Sequence, residues 1–112
     1  MKIKFEEKRF FVRQEDSIVC CLLYWRLFDG WGKTFRRQES KGIAKLNPTD
    51  TFDERIGKKV ALAKAEAAAY KQCYAFTRKL VNEYAKELLD IAQFADKAQY
   101  VIKHNKEFIK TL

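Results

Sequence analysis

Proline and glycine are scarce in this chain: one Pro and four Gly occur in 112 residues, and neither returns after Gly57. Residues 58–112 therefore carry no helix breaker, and residues 60–69 are dominated by Ala, the best helix former. No apolar run approaches the roughly 18 residues that a membrane span requires. The longest, residues 18–25, is bounded by Ser17 and Arg26, so a membrane partner is not expected. The N-terminal stretch has neither the apolar core nor the small-residue cleavage site of a secretory signal, and the expected location is the cytoplasm. Gly30 and Gly32 alone do not make a phosphate-cradling loop. Neither an internal repeat nor a low-complexity linker is present.

Cysteine is sparse too. Cys20 and Cys21 are adjacent within a strand-like run, so their side chains point to opposite faces and do not readily bond each other. With Cys73 the count is odd, which argues for reduced, buried thiols without a disulfide or metal role.

What is present is apolar and basic: 47% of residues are hydrophobic, 34% are charged, and the formal net charge is +8. The first value excludes a disordered chain, and the charge favours polyanions as partners.

The first part reads as strands. Residues 3–5 and 9–13 are short and β-prone, and residues 14–17 form a polar turn. Residues 17–28, rich in β-branched, aromatic and Cys residues, form a central strand apolar on both faces. Asp29-Gly30-Trp31-Gly32 supplies a turn, and residues 33–46 return as a third strand with partial alternation and a basic cast. An antiparallel meander over residues 1–47 results. Asn47-Pro48-Thr49-Asp50 ends it, and Thr51 with Glu54 fits a capping box that opens a helix.

A single straight helix over the remaining residues would be about 90 Å long at 1.5 Å per residue, beyond the size of one small domain. The pairs Asp90 with Gln93 and Asp96 with Gln99 are suitable caps for a reversal between Leu89 and Lys97. The expectation is one α+β domain over residues 1–112 of order β-β-β-α-α: a three-stranded antiparallel meander over 1–47, packed on a long helix over 51–90, followed by a C-terminal helix over 96–112. The long helix has one stripe of Ile56, Val60, Ala63, Ala67, Tyr70 and Tyr74 and another of Leu62, Ala69, Cys73, Phe76, Leu80 and Tyr84. The last segment has its own stripe of Ile91, Phe94, Ala98, Val101, Ile102, Asn105, Phe108, Ile109 and Leu112. One face covers the sheet. The other meets the terminal helix or a second copy of the chain.

Residues 42–65 place Gly42-Ile43-Ala44 at a strand end, then Pro48-Thr49-Asp50-Thr51-Phe52-Asp53, then Gly57 and an Ala-rich helix. This resembles a pattern in small uncharacterised phage and mobile-element proteins. The layout also resembles the β-β-β-α part of a double-stranded RNA-binding domain, whose Lys-Lys-x-Ala-Lys helix start grips phosphates. Lys58-Lys59-Val60-Ala61 matches that start, Leu62 replaces its third lysine, and the domain's N-terminal helix and His-bearing hairpin loop are missing. The resemblance implies a non-enzymatic accessory protein that binds nucleic acid or a nucleic-acid-bound host complex, inhibiting a host defence nuclease as anti-CRISPR proteins do.

The residues expected to meet a polyanion are Lys33, Arg36, Arg37, Lys41 and Lys45 of the third strand with Arg55, Lys58 and Lys59 of the helix start. There, free backbone N–H groups favour anions. Trp31, Phe35 and Tyr24 are candidates to stack bases. The other reading is a homodimer or larger oligomer formed through the helices, its basic charge incidental. An enzyme is not expected. Asp50, Asp53 and Glu54 are better explained by the turn and cap than by a Mg²⁺ site, and the sole histidine, His104, lies distant in sequence. The cysteines sit in apolar runs that do not favour a thiolate. No cofactor and no metal are implied.

Overall fold

The computed structural model describes residues 1–47 and 51–112. Strand β1 (Lys2–Arg13) leads through a single 3-10 turn (Gln14–Asp16) into β2 (Ile18–Phe28) and β3 (Thr34–Lys45), and helix α1 (Glu54–Lys110) follows. The strands form one antiparallel sheet in the order β1-β2-β3. The α+β class and the meander expected from the sequence are both present. The expected break at 48–50 lies outside the described residues.

Both hairpin turns rest on local chemistry. Ser17 takes the left-handed conformation at φ 53° and closes the 3-10 turn through its N–H to the Gln14 carbonyl. In the second turn Asp29 Oδ1 accepts from the N–H groups of Trp31 (2.8 Å) and Lys33 (2.9 Å), while Gly32 takes φ +80°. That is the Asx-turn logic of a short acidic side chain satisfying backbone donors where the ladder stops.

Strand β1 is one continuous strand rather than two short ones. Phe5 pairs with Trp25 and Glu7 with Tyr24, leaving Glu6 as the extra residue of a bulge. The inserted residue switches the parity of the side chains. Ile3 and Phe5 before the bulge therefore share a face with Lys8, Phe10 and Val12 after it, opposite Leu27, Trp25, Leu23, Cys21 and Val19.

That face carries the core. Val19, Cys21, Leu23, Trp25 and Leu27 are buried on β2, with Ser40, Gly42 and Ala44 beside them on β3. Helix α1 covers them with small residues: Gly57, Ala61, Ala65, Ala69 and Cys73 are its buried positions, one every fourth residue. Small side chains on both sides let the helix backbone come close to the sheet. A Cβ built on Gly42 would run into the Ala61 carbonyl oxygen and the Ala65 nitrogen, and one on Gly57 would lie 2.6 Å from Val19 Cγ2. The stripe of Ile56, Val60, Tyr70 and Tyr74 lies off this contact and is exposed.

Polar groups in the interface are matched. The Trp25 indole N–H donates to Ser40 Oγ over 2.8 Å, and Ser40 Oγ–H donates to Gln72 Oε1 over 2.9 Å, so one chain of hydrogen bonds links β2, β3 and α1. Lys64 Nζ donates to the Ile43 carbonyl at 3.1 Å.

The helix opens on Asp53. Its Oδ1 accepts from Arg55 N–H at 3.0 Å and Ile56 N–H at 3.3 Å, and its carbonyl accepts from Gly57 N–H. Asp53 therefore fills the cap position expected of Thr51. It wins because its carboxylate meets two of the free donors of the first turn and complements the helix dipole.

The expected reversal between Leu89 and Lys97, with a separate C-terminal helix over 96–112, is not seen. Helix α1 runs unbroken from Glu54 to Lys110. Asp90 and Asp96 are exposed within the helix, where their carboxylates need no free backbone N–H to satisfy. No Gly or Pro lies there to reverse the chain, and the apolar spacing passes through the segment without a change of phase. A helix this long exceeds one compact body, but the chain divides into two units, Met1–Ala75 and Phe76–Leu112, and the helix contributes to both. The second unit is helical almost to its end. There Thr111 donates through N–H (3.0 Å) and Oγ1 (2.6 Å) to the Phe108 carbonyl.

Candidate nucleic-acid interface

Pairing across the ladder fixes which residues share the sheet face that α1 leaves open. On β2 these are Ile18, Cys20, Leu22, Tyr24, Arg26 and Phe28, all partly exposed. Beside them on β1 stand Lys2, Lys4, Glu7, Arg9, Phe11 and Arg13, and on β3 stand Arg37, Glu39, Lys41, Ile43 and Lys45. Neighbouring strands lie about 4.8 Å apart, so the two outer rows are separated by roughly 10 Å across an apolar and aromatic floor. Phe11 is 54% and Ile43 44% exposed, high for large apolar side chains on a sheet.

The rim is cationic. Arg9 pairs with Glu7 at 2.9 Å and lies 5.8 Å from the Tyr24 ring centroid, and its guanidinium pKa is raised by the hydrogen bond to Glu7. Arg26 is 5.8 Å from the Phe28 centroid and 2.7 Å from Glu6 Oε1; its buried Nε lacks an aligned hydrogen bond, so this is a charge contact. Arg13 is 3.7 Å from Asp16. Lys2, Lys4, Lys41 and Lys45 are exposed and have no ion-pair partner among the described residues.

The eight cations singled out in the sequence separate into two groups. Arg37, Lys41 and Lys45 lie on the open face, paired opposite Arg26, Leu22 and Ile18. Lys33 is exposed in the turn before β3, and Arg36 lies on the helix-facing side opposite Leu27, where its Nε donates to Gln38 Oε1 at 2.9 Å. Arg55, Lys58 and Lys59 belong to the other side of the sheet. With Lys8, Phe10, Glu54 and Leu62 they line an open cleft of about 390 Å³ beside β1. There Lys58 Nζ is 3.4 Å from Glu54 Oε1 and 5.7 Å from the Phe10 ring centroid, which occupies the first lysine of the Lys-Lys start.

Sequence reasoning missed Lys2, Lys4, Arg9, Arg13 and Arg26, which together outnumber the β3 cations on that face. Their signal is the alternation of charge along β1, hidden by the parity change at Glu6. Of the three aromatic candidates, Tyr24 lies on the open face, whereas Trp31 is 90% exposed in the turn and Phe35 sits at the irregularity between the Leu27 and Phe28 pairings. The ring residues that join Tyr24 are Phe11 and Phe28.

Catalytic constellations find little geometry. Asp50 lies outside the described residues, and Asp53 is engaged in capping. His104 belongs to the second unit, stacked on Tyr100 at 5.8 Å. Among the described residues no three of His, Cys, Asp and Glu gather where they could hold a metal ion. None of the three cysteines forms a disulfide, and burial pushes the thiols of Cys21 and Cys73 up from their ordinary range. No described helix is long and apolar enough to cross a membrane. Compared with protein-family models, curated proteins and solved structures, the chain matches none of them.

Proposed function

We propose that this chain binds nucleic acid through the open face of its sheet. The observation that carries the reading is the uncovered floor of Leu22, Tyr24 and Phe28 between two cationic rows, with Phe11 exposed in the β1 row beside it. Cations at both margins attract phosphates and set the register of a strand, while exposed rings on a pleated surface offer faces on which bases stack. A purely apolar partner would leave Lys2, Lys4, Lys41 and Lys45 to be desolvated without an anion, at a cost that a phosphate backbone removes. β-Sheets read nucleic acid both in duplex grooves and on single strands.

The test is a binding titration with fluorescent single-stranded RNA, single-stranded DNA and duplex DNA at several salt concentrations. Affinity should fall steeply as salt rises, the logarithm of the binding constant dropping by about 0.7–0.9 per phosphate neutralised for each tenfold increase. Absence of binding to all three probes at low salt would sink the proposal.

A further inference from the structure

We infer that the second unit, Phe76–Leu112, assembles with copies of itself through a heptad seam. Val81, Leu88, Ala95, Ile102 and Ile109 recur every seventh residue. Tyr84, Ile91, Ala98, Asn105 and Leu112 recur three residues after each of them. Spacings of three and four thus alternate without interruption from residue 81 to residue 109, the last of these positions within α1, an average of about 3.5 against the 3.6 of a straight helix. A stripe held to that period over several heptads follows a partner helix that supercoils around it. A flat protein surface imposes no such repeat.

Exposure points the same way. Leu88 is 67%, Ile91 61%, Ile102 56% and Ile109 65% exposed. Phe94, Val101 and Phe108, each just before a seam position, widen the apolar band, with Phe94 71% and Phe108 61% exposed. An aromatic ring presents about 150–250 Å², so Tyr84, Phe94 and Phe108 alone offer on the order of 400 Å² per copy, and the aliphatic positions bring the band to about double that. Two such bands supply roughly the 1,200–2,000 Å² total that a stable interface hides. The remaining faces carry Asn82, Glu83, Lys86, Asp90, Gln93 and Lys97, a solvated side.

Charge selects a second copy as the occupant. The unit has seven Lys and Arg against five Asp and Glu, so most of the chain's net +8 lies in Met1–Ala75. Two copies of the unit meet without strong repulsion, and the unit offers a polyanion little attraction. The seam residues Leu88, Ile91, Ile102 and Ile109 are left unburied by the unit itself, whereas helices in water draw most of their stability from a buried face. The inference stands apart from nucleic-acid binding, which uses the open face of the first unit.

Light scattering and sedimentation of the full chain test it. The expected mass is a multiple of 13.3 kDa and persists at high salt, because an apolar seam is not screened. Leu88→Glu with Ile102→Glu should return the mass to 13.3 kDa, while Tyr100→Glu, equally exposed but off the seam, should leave the assembly intact. Protection of the Cys21 thiol shows that the first unit stays folded in each variant. A monomeric wild-type chain, an unchanged mass in the double variant, or equal dissociation by Tyr100→Glu each overturns the inference.

Discussion

The Trp25 indole N–H donates to the Ser40 hydroxyl across 2.8 Å inside a core where Trp25 is fully buried and Ser40 is 3% exposed. Ser40 in turn satisfies itself on Gln72 of α1. Removing the hydroxyl strands a buried donor, at a cost of about 1–3 kcal/mol. Ser40→Ala should therefore lower the unfolding free energy from urea titrations by that amount. Trp25→Phe combined with Ser40→Ala should cost less than the two single changes summed, because the second deletion no longer orphans a partner. Strict additivity of the two would show that the pair is not coupled.

Gly42 stands where β3 lies close against α1, its position for a Cβ already filled by backbone atoms of Ala61 and Ala65. Backbone does not rotate aside as a side chain does. Gly42→Ala should therefore separate helix from sheet and cost about 3 kcal/mol, with Gly42→Val more damaging still. Gly57→Ala should be milder, because what it meets is the Val19 side chain. Thermal melts of the three variants give the order. Equal stability of Gly42→Ala and the wild type would show that the helix is not held this close.

The same close approach explains how much of the fold is legible in the sequence. The strands and their turns follow from β-branched residues and from Asp29 with Gly32, and a capping signal marks the helix start, although the cap is Asp53 and not the expected Thr51. The alternation in β3 is only partial because its buried positions are Ser40, Gly42 and Ala44, small rather than strongly apolar. The helix stripe that meets them is small as well, so the large residues Ile56, Val60 and Tyr70 mark by hydropathy a face that is in fact exposed. Burial here follows size and proximity more than hydropathy. In β1 a single extra residue, Glu6, reverses the parity of the side chains and hides Lys2, Lys4, Arg9 and Arg13 as members of one face. The unbroken helix conflicts with the size of a single small domain, although its heptad spacing is present in the residues.

Cys20 and Cys21 differ in burial although adjacent, and the desolvated Cys21 thiol titrates above its ordinary 9.0. Its folded value exceeds the unfolded one, so the stability linked to it is intact below the unfolded value and disappears as pH rises toward the folded value. Urea midpoints should fall as pH rises through and above the ordinary thiol range of about 8.5, and Cys21→Ala should flatten part of that fall. A pH profile unchanged by Cys21→Ala would mean that the thiol is not desolvated. Under native conditions a thiol reagent should modify Cys20 faster than Cys21, and peptide mapping separates the adjacent pair.

The split between the two basic groups gives the sharpest prediction about binding. Lys41 and Lys45 lie on the open face, whereas Lys59 lies on the helix side with Lys8 and Arg55. All three are exposed, so substitution at each should change stability by no more than about 0.5 kcal/mol. Lys41→Glu with Lys45→Glu should weaken nucleic-acid binding at least about tenfold at moderate salt and reduce the salt slope by about 0.7–0.9 for each phosphate that the variant no longer neutralises. Lys59→Glu, which alters net charge without touching the open face, should change affinity by the smaller amount owed to long-range attraction, an effect that fades as salt shortens the Debye length. Tyr24→Leu keeps the floor apolar and should weaken single-stranded probes without altering the slope, since stacking releases no counterions. If Lys59→Glu proves the more damaging change, the cleft beside β1 carries the binding and the open face does not.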